Sequence, residues 1–210
     1  GNNLYSCVQF LDGSYMWGPV VKADVSMGGD QLRHLTAGSL PIQLVINSAE
    51  LPAPAGGCAG SSEDQAERSN DDVSKLGANG ILGIGTDRQD CGTNCANDQD
   101  NGYYYTDTPT VTGTTVAVTD QLQQPVSRFA SDNNGTLIEL PLVPATGASV
   151  ANGWLIFGIG TQSNNALGSA TVFRFTDPSQ YAQFFTAYGA KTGLQGFIDS
   201  GSNGLFFGSR

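Results

Sequence analysis

Apolar and polar residues alternate in short runs along most of the chain, and glycine, proline, Asp-Gly and Asn-Gly cut the runs apart. Ser6 to Phe10 alternates up to Leu11-Asp12-Gly13-Ser14, and Tyr15 to Val25 runs outward again. Asp-Gly between such segments predicts a β-hairpin. Leu40 to Val45 predicts a further strand, with Pro41 at its start, where a missing N–H is tolerated. Asn79-Gly80-Ile81-Leu82-Gly83-Ile84-Gly85 reads as a short core strand bounded by glycines. Tyr103 to Tyr105 and Thr110 to Val118 read as strands, and Thr136 to Leu140 as another after the turn Asp132-Asn133-Asn134-Gly135. The continuous apolar run Trp154 to Gly158 predicts a buried strand. Two stretches read as short helices: 124–131, with Pro125 near its first turn, and 177–188, with Asp177 as N-cap and Pro178 at the first position. Residues 49–75 and 87–107 are polar and read as surface excursions.

Composition agrees with a mostly β fold. The 210 residues include 28 glycines and only 13% charged side chains, which suits turns and close strand packing better than a helical bundle. The net charge is −10 with nine Lys and Arg, so no basic stripe exists to bind nucleic acid or an anionic membrane surface. No apolar run approaches the length of a membrane span. The cysteines are Cys7, Cys58, Cys91 and Cys95. An even count in such a chain points to disulfides and an oxidising, secreted or periplasmic compartment. Cys91 and Cys95 would close a tight loop and leave Cys7 and Cys58 as the other pair. A zinc site needs four converging ligands, to which the lone His34 adds little, so no metal or other cofactor is expected. Asn97-Asp98-Gln99-Asp100-Asn101-Gly102 makes a poor calcium loop, because Thr108 stands where a bidentate Glu belongs, and it reads as a solvated acidic loop.

Four segments carry the chemistry, in a fixed order: Phe10-Leu11-Asp12-Gly13-Ser14-Tyr15, then Asn79 to Gly85, then Gly153-Trp154-Leu155-Ile156-Phe157-Gly158-Ile159-Gly160, and last Phe197-Ile198-Asp199-Ser200-Gly201-Ser202. The ordered set resembles the pepsin-like aspartic peptidases, from about Cys7 to Phe207. More narrowly it resembles a bacterial, pepsin-related family of unknown function that carries an Ala-Asn-Gly-Ile-Leu-Gly segment. The resemblance implies a pepsin-like β-barrel lobe over residues 1–150 with a flap-like hairpin, and inter-lobe strands with the start of a second lobe over 151–210. It implies that Asp199, shaped by Ser200 and Gly201, is one of two paired catalytic aspartates. It also implies that Phe10, Asp12, Gly13, Ser14 and Tyr15 form a flap over a peptide or protein substrate.

Paired carboxylates suit peptide hydrolysis because proximity splits their proton affinities, so that one serves as acid and the other as base. The first aspartate loop of that family precedes its flap, whereas no aspartate precedes Phe10 here, and Phe10 stands where a flap tyrosine is common. The expectation is therefore an internal portion of a longer peptidase-like protein, silent by itself. A non-catalytic extracellular binding protein or a surface or filament subunit, assembling through open strand edges, is the alternative.

Overall fold

The computed structural model describes residues 3–10, 12–28, 35–59, 65–174 and 183–201. Its largest unit is an antiparallel five-stranded sheet. β1 (Leu4–Gln9) and β2 (Tyr15–Met27) form the hairpin that the Asp-Gly pair predicts, with Cys7 opposite Trp17 and Gln9 opposite Tyr15. The first part of β2 pairs with β1 and the second with β3 (Leu35–Gln43), with a register shift between Ala23 and Val25. Asp24 sits in that shift, and its carboxylate accepts the N–H of Ser39 at 2.7 Å. β4 (Tyr104–Thr106) and β5 (Thr112–Gly113) complete the order β3-β2-β1-β4-β5.

Alternation along these strands divides the core between the two faces of the sheet. Tyr5, Cys7, Tyr15, Trp17 and Tyr105 gather on one face with Cys58 and Ala59. Trp17 stacks on Tyr5 with ring centroids 5.3 Å apart and meets Tyr105 edge-on at 5.4 Å. Such pairs contribute about 0.5–1.5 kcal/mol each beyond their burial. Tyr104 lies on the other face with Cys95 and Val116. A third cluster, Ala37, Leu40, Val126 and Phe129, packs on the β2–β3 end.

Four short helices decorate the sheet: α1 (Gly56–Ala59), α2 (Gln65–Arg68), α3 (Val73–Leu76) and α4 (Gly92–Asn97). α3 is N-capped by Asp72, which accepts from the amides of Ser74 and Lys75, and closes on Gly77 in the left-handed region. Two further antiparallel pairs follow: β6 (Thr136–Glu139) with β7 (Trp154–Phe157), and β8 (Phe184–Tyr188) with β9 (Lys191–Gly196).

The chain is thus mostly β with short helices, and five expectations need correction. The strands form open sheets, with no closed barrel among the described residues. Residues 79–85 form no strand: Ile81 and Leu82 are exposed, and the carbonyl of Gly85 accepts instead from the side chain of Gln124. β7 is a strand but is not buried, since Trp154 is 72% exposed. Where a helix was expected over 177–188, Phe184–Tyr188 is a strand rich in aromatic residues, and residues 177–182 lie outside the described residues. The helix expected over 124–131 is a single 3-10 turn, Val126–Arg128, behind Pro125.

Candidate functional site

The hairpin tip is built by its own sequence. Gly13 has φ +85°, a conformation that glycine adopts without strain, so the chain reverses there. The amide of Phe10 donates to the carbonyl of Ser14 at 2.8 Å, and that of Gly13 to the carbonyl of Phe10 at 3.0 Å. Asp12 accepts from both the amide and the hydroxyl of Ser14, at 2.8 and 2.7 Å. Those bonds, the hydroxyl first, hold its carboxyl below the usual aspartate value.

The tip is also tied to the neighbouring chain. Arg68 donates to the carbonyl of Gly13 at 3.2 Å and to that of Ala59 at 2.8 Å. Asn70 donates its side-chain amide to the Ser14 hydroxyl at 3.1 Å and its backbone amide to the carbonyl of Tyr15 at 2.8 Å. Cys7 and Cys58 are joined by a disulfide beneath the hairpin, and Gln9 donates to the carbonyls of Gly57 and Cys58. Phe10 is half-buried and Asp12 and Gly13 are exposed, while Tyr15 points into the core at 4% exposure. The second disulfide joins Cys91 and Cys95 across the start of α4.

Asp199, Ser200 and Gly201 stand in an exposed turn beyond β9. The Asp199 carboxylate accepts the Gly201 amide at 2.9 Å, which fixes the direction of the carboxylate within its own loop. Phe197 and Ile198, which lead into it, are 68% and 79% exposed. The structure thus brings Asp12, Gly13 and Ser14 together with Arg68 and Asn70, whereas the hydrogen bond that shapes the Asp199 turn is internal to it.

Three polar arrangements were not foreseen. Asp132, 7% exposed and at φ +54°, accepts from the Thr161 hydroxyl at 2.5 Å and the Gln162 amide at 2.6 Å. Asn165, 1% exposed, donates to Thr161 and to the carbonyl of Phe157. A Cβ at Gly158 would collide with the Thr161 hydroxyl, so the sequence leaves it out. Around the acidic loop, Asn101 accepts from the amides of Tyr103 and Tyr104, and Asp98 from that of Asp100, so loop hydrogen bonds organise it. The third is Asp90, half-buried, whose carboxyl oxygen Oδ2 is buried and which lies near Tyr104.

A family model described as "Protein of unknown function (DUF3443)" matches residues 1–210. The chain belongs to the DUF3443 family. No curated protein and no solved structure matches it. No helix among the described residues is long and apolar enough to cross a membrane.

Proposed function

We propose that the chain is part of a secreted or periplasmic aspartic-peptidase-like protein with a pepsin-like lobe, in which Asp199 supplies one of two paired carboxylates. The reading rests on one conjunction. A hairpin tipped by Asp12-Gly13-Ser14 is held on a β-sheet, and an Asp-Ser-Gly turn at 199–201 folds onto its own carboxylate. Disulfides at Cys7–Cys58 and Cys91–Cys95 fit the compartment. In the reaction, an ionised carboxylate takes a proton from water as the water attacks the peptide carbonyl. The protonated partner donates to the carbonyl oxygen. The Gly201 amide orients Asp199 for one of these roles, and Phe10, Asp12, Gly13 and Ser14 at the tip close over the peptide.

The 210 residues hold no second Asp-Ser-Gly or Asp-Thr-Gly triplet. The partner carboxylate lies outside them in this reading, and the 210-residue chain alone is silent. The test is peptide cleavage at acid pH. The isolated chain should give none, and the longer natural polypeptide should cleave and lose that activity with Asp199→Asn. Cleavage by the isolated chain, or by the longer polypeptide irrespective of Asp199, would sink the proposal.

One observation favours a second reading, a non-catalytic binding protein or surface subunit. The tip is tied by Arg68 and Asn70, and Phe10 brings no hydroxyl to it. Such a protein would bind a peptide with the same affinity before and after Asp199→Asn.

A further inference from the structure

A buried carboxyl stands apart from the proposed peptidase chemistry. Asp90 precedes the Cys91–Cys95 disulfide, and its amide donates to the carbonyl of Leu122 at 3.0 Å. Gln89 bridges Gln123 in the same pairing. Tyr104, fully buried, accepts the Leu122 amide on its hydroxyl at 2.7 Å, and that hydroxyl lies near the Asp90 carboxyl. The other carboxyl oxygen, Oδ2, is buried with no donor facing it. Gln121, fully buried alongside, donates to the carbonyls of Gly92 and Val116 and likewise leaves its Oε1 without a donor. Two buried acceptors on one seam lack protons, and an ionised carboxylate there would be a desolvated charge.

Among the described residues no cation offsets it. Tyr104 is the ionisable group that β4 turns toward Asp90. α4 carries no ionisable side chain besides its disulfide cysteine, and 121–124 carries none. Asp120, in the preceding 3-10 turn, is exposed and paired with Lys22 at 3.1 Å.

We propose that the seam between residues 89–97 and 121–124 is an acid-dependent lock, closed while the Asp90 carboxyl carries a proton and loosened when it ionises. Burial raises that carboxyl above its ordinary 3.8, and the nearby Tyr104 hydroxyl offsets only part of the rise. A raised folded-state value means stability fully present below 3.8 and lost as pH rises through the folded value. Within that window the folded-to-unfolded ratio falls about tenfold per pH unit. Asp12, Asp72 and Asp107 act with the opposite sign. Hydrogen bonds hold their carboxyls below 3.8, so their contribution is lost as pH falls, in a separate window.

Two measurements on the oxidised 210-residue chain decide this. The first is the carbon-13 NMR titration of the Asp90 carboxyl, which should ionise above 3.8. The second is the urea midpoint from acid to neutral pH. The wild type should lose stability on the way up, and Asp90→Asn should lose less and be the more stable at neutral pH. Ionisation at or below the ordinary value, or parallel profiles for the two proteins, overturns the proposal. The NMR titration needs only the wild type, so it holds even if the variant folds poorly.

Discussion

Arg68 ties the hairpin tip to a distant stretch of the chain. One guanidinium spans the carbonyls of Gly13 and Ala59, and so ties the tip to the helix that carries Cys58. Charge-assisted bonds contribute about 1.5–3 kcal/mol when buried, and solvent at this partly exposed site brings that to about 1 kcal/mol. Arg68→Ala should therefore cost about 1 kcal/mol in urea unfolding and speed hydrogen exchange at the Phe10 amide, with little change in the sheet. Unchanged exchange at Phe10 would show that the turn holds itself through Asp12 and Ser14. The turn was readable in the sequence because Asp-Gly acts locally. Arg68 was not, because its two acceptors are backbone carbonyls brought close only by the fold. Asp90 escaped notice for the same reason: a polar loop such as 87–107 gives no sign that one of its aspartates faces inward.

At the scale of elements, the two disulfides differ in how much chain they constrain. Cys7–Cys58 spans a separation of 51 residues and Cys91–Cys95 only 4. Chain entropy gives about 4 kcal/mol for the first and about 2 kcal/mol for the second. Replacing Cys7 and Cys58 together by Ser should thus lower stability by about 2 kcal/mol more than replacing Cys91 and Cys95, read from urea curves of the two variants. Equal losses would mean that the long loop is already constrained in the unfolded chain. Strands with a turn signal beside them were legible, as β1, β2 and β6 show. Residues 79–85 were not, because an apolar run bounded by glycines specifies no pairing partner, and Gln124 takes a backbone carbonyl that a strand neighbour would have used. At β8 the Asp-Pro start suggested a helix, while Phe184, Phe185 and Tyr188 suit a pleated surface better.

Across the whole molecule, charge and apolar surface are separated. Residues 1–135 hold sixteen acidic and six basic side chains, and residues 136–210 hold three of each. The neutral part also carries most of the exposed large apolar side chains, among them Leu142, Trp154, Phe173, Phe185 and Ile198. A continuous apolar run such as Trp154–Phe157 is the pattern of a strand covered on both faces, and that is why it read as buried. The two tryptophans report on this directly, since Trp17 is 5% exposed and Trp154 is 72% exposed. Iodide should quench one component of the tryptophan emission and spare the other, and Trp154→Phe should remove the quenched component. Uniform protection would mean that the surface around β7 is covered in solution.

The proposed chemistry also belongs to the whole molecule, because Asp199 needs a second carboxylate. The most direct test is the pH dependence of kcat/KM for peptide cleavage by the longer natural polypeptide. A carboxylate pair sharing one proton predicts a bell-shaped profile with both limbs on the acid side of neutrality, abolished by Asp199→Asn. Cleavage that persists in the variant, or rises toward neutral pH with no acid-side maximum, would contradict the assignment of Asp199 to a paired catalytic site.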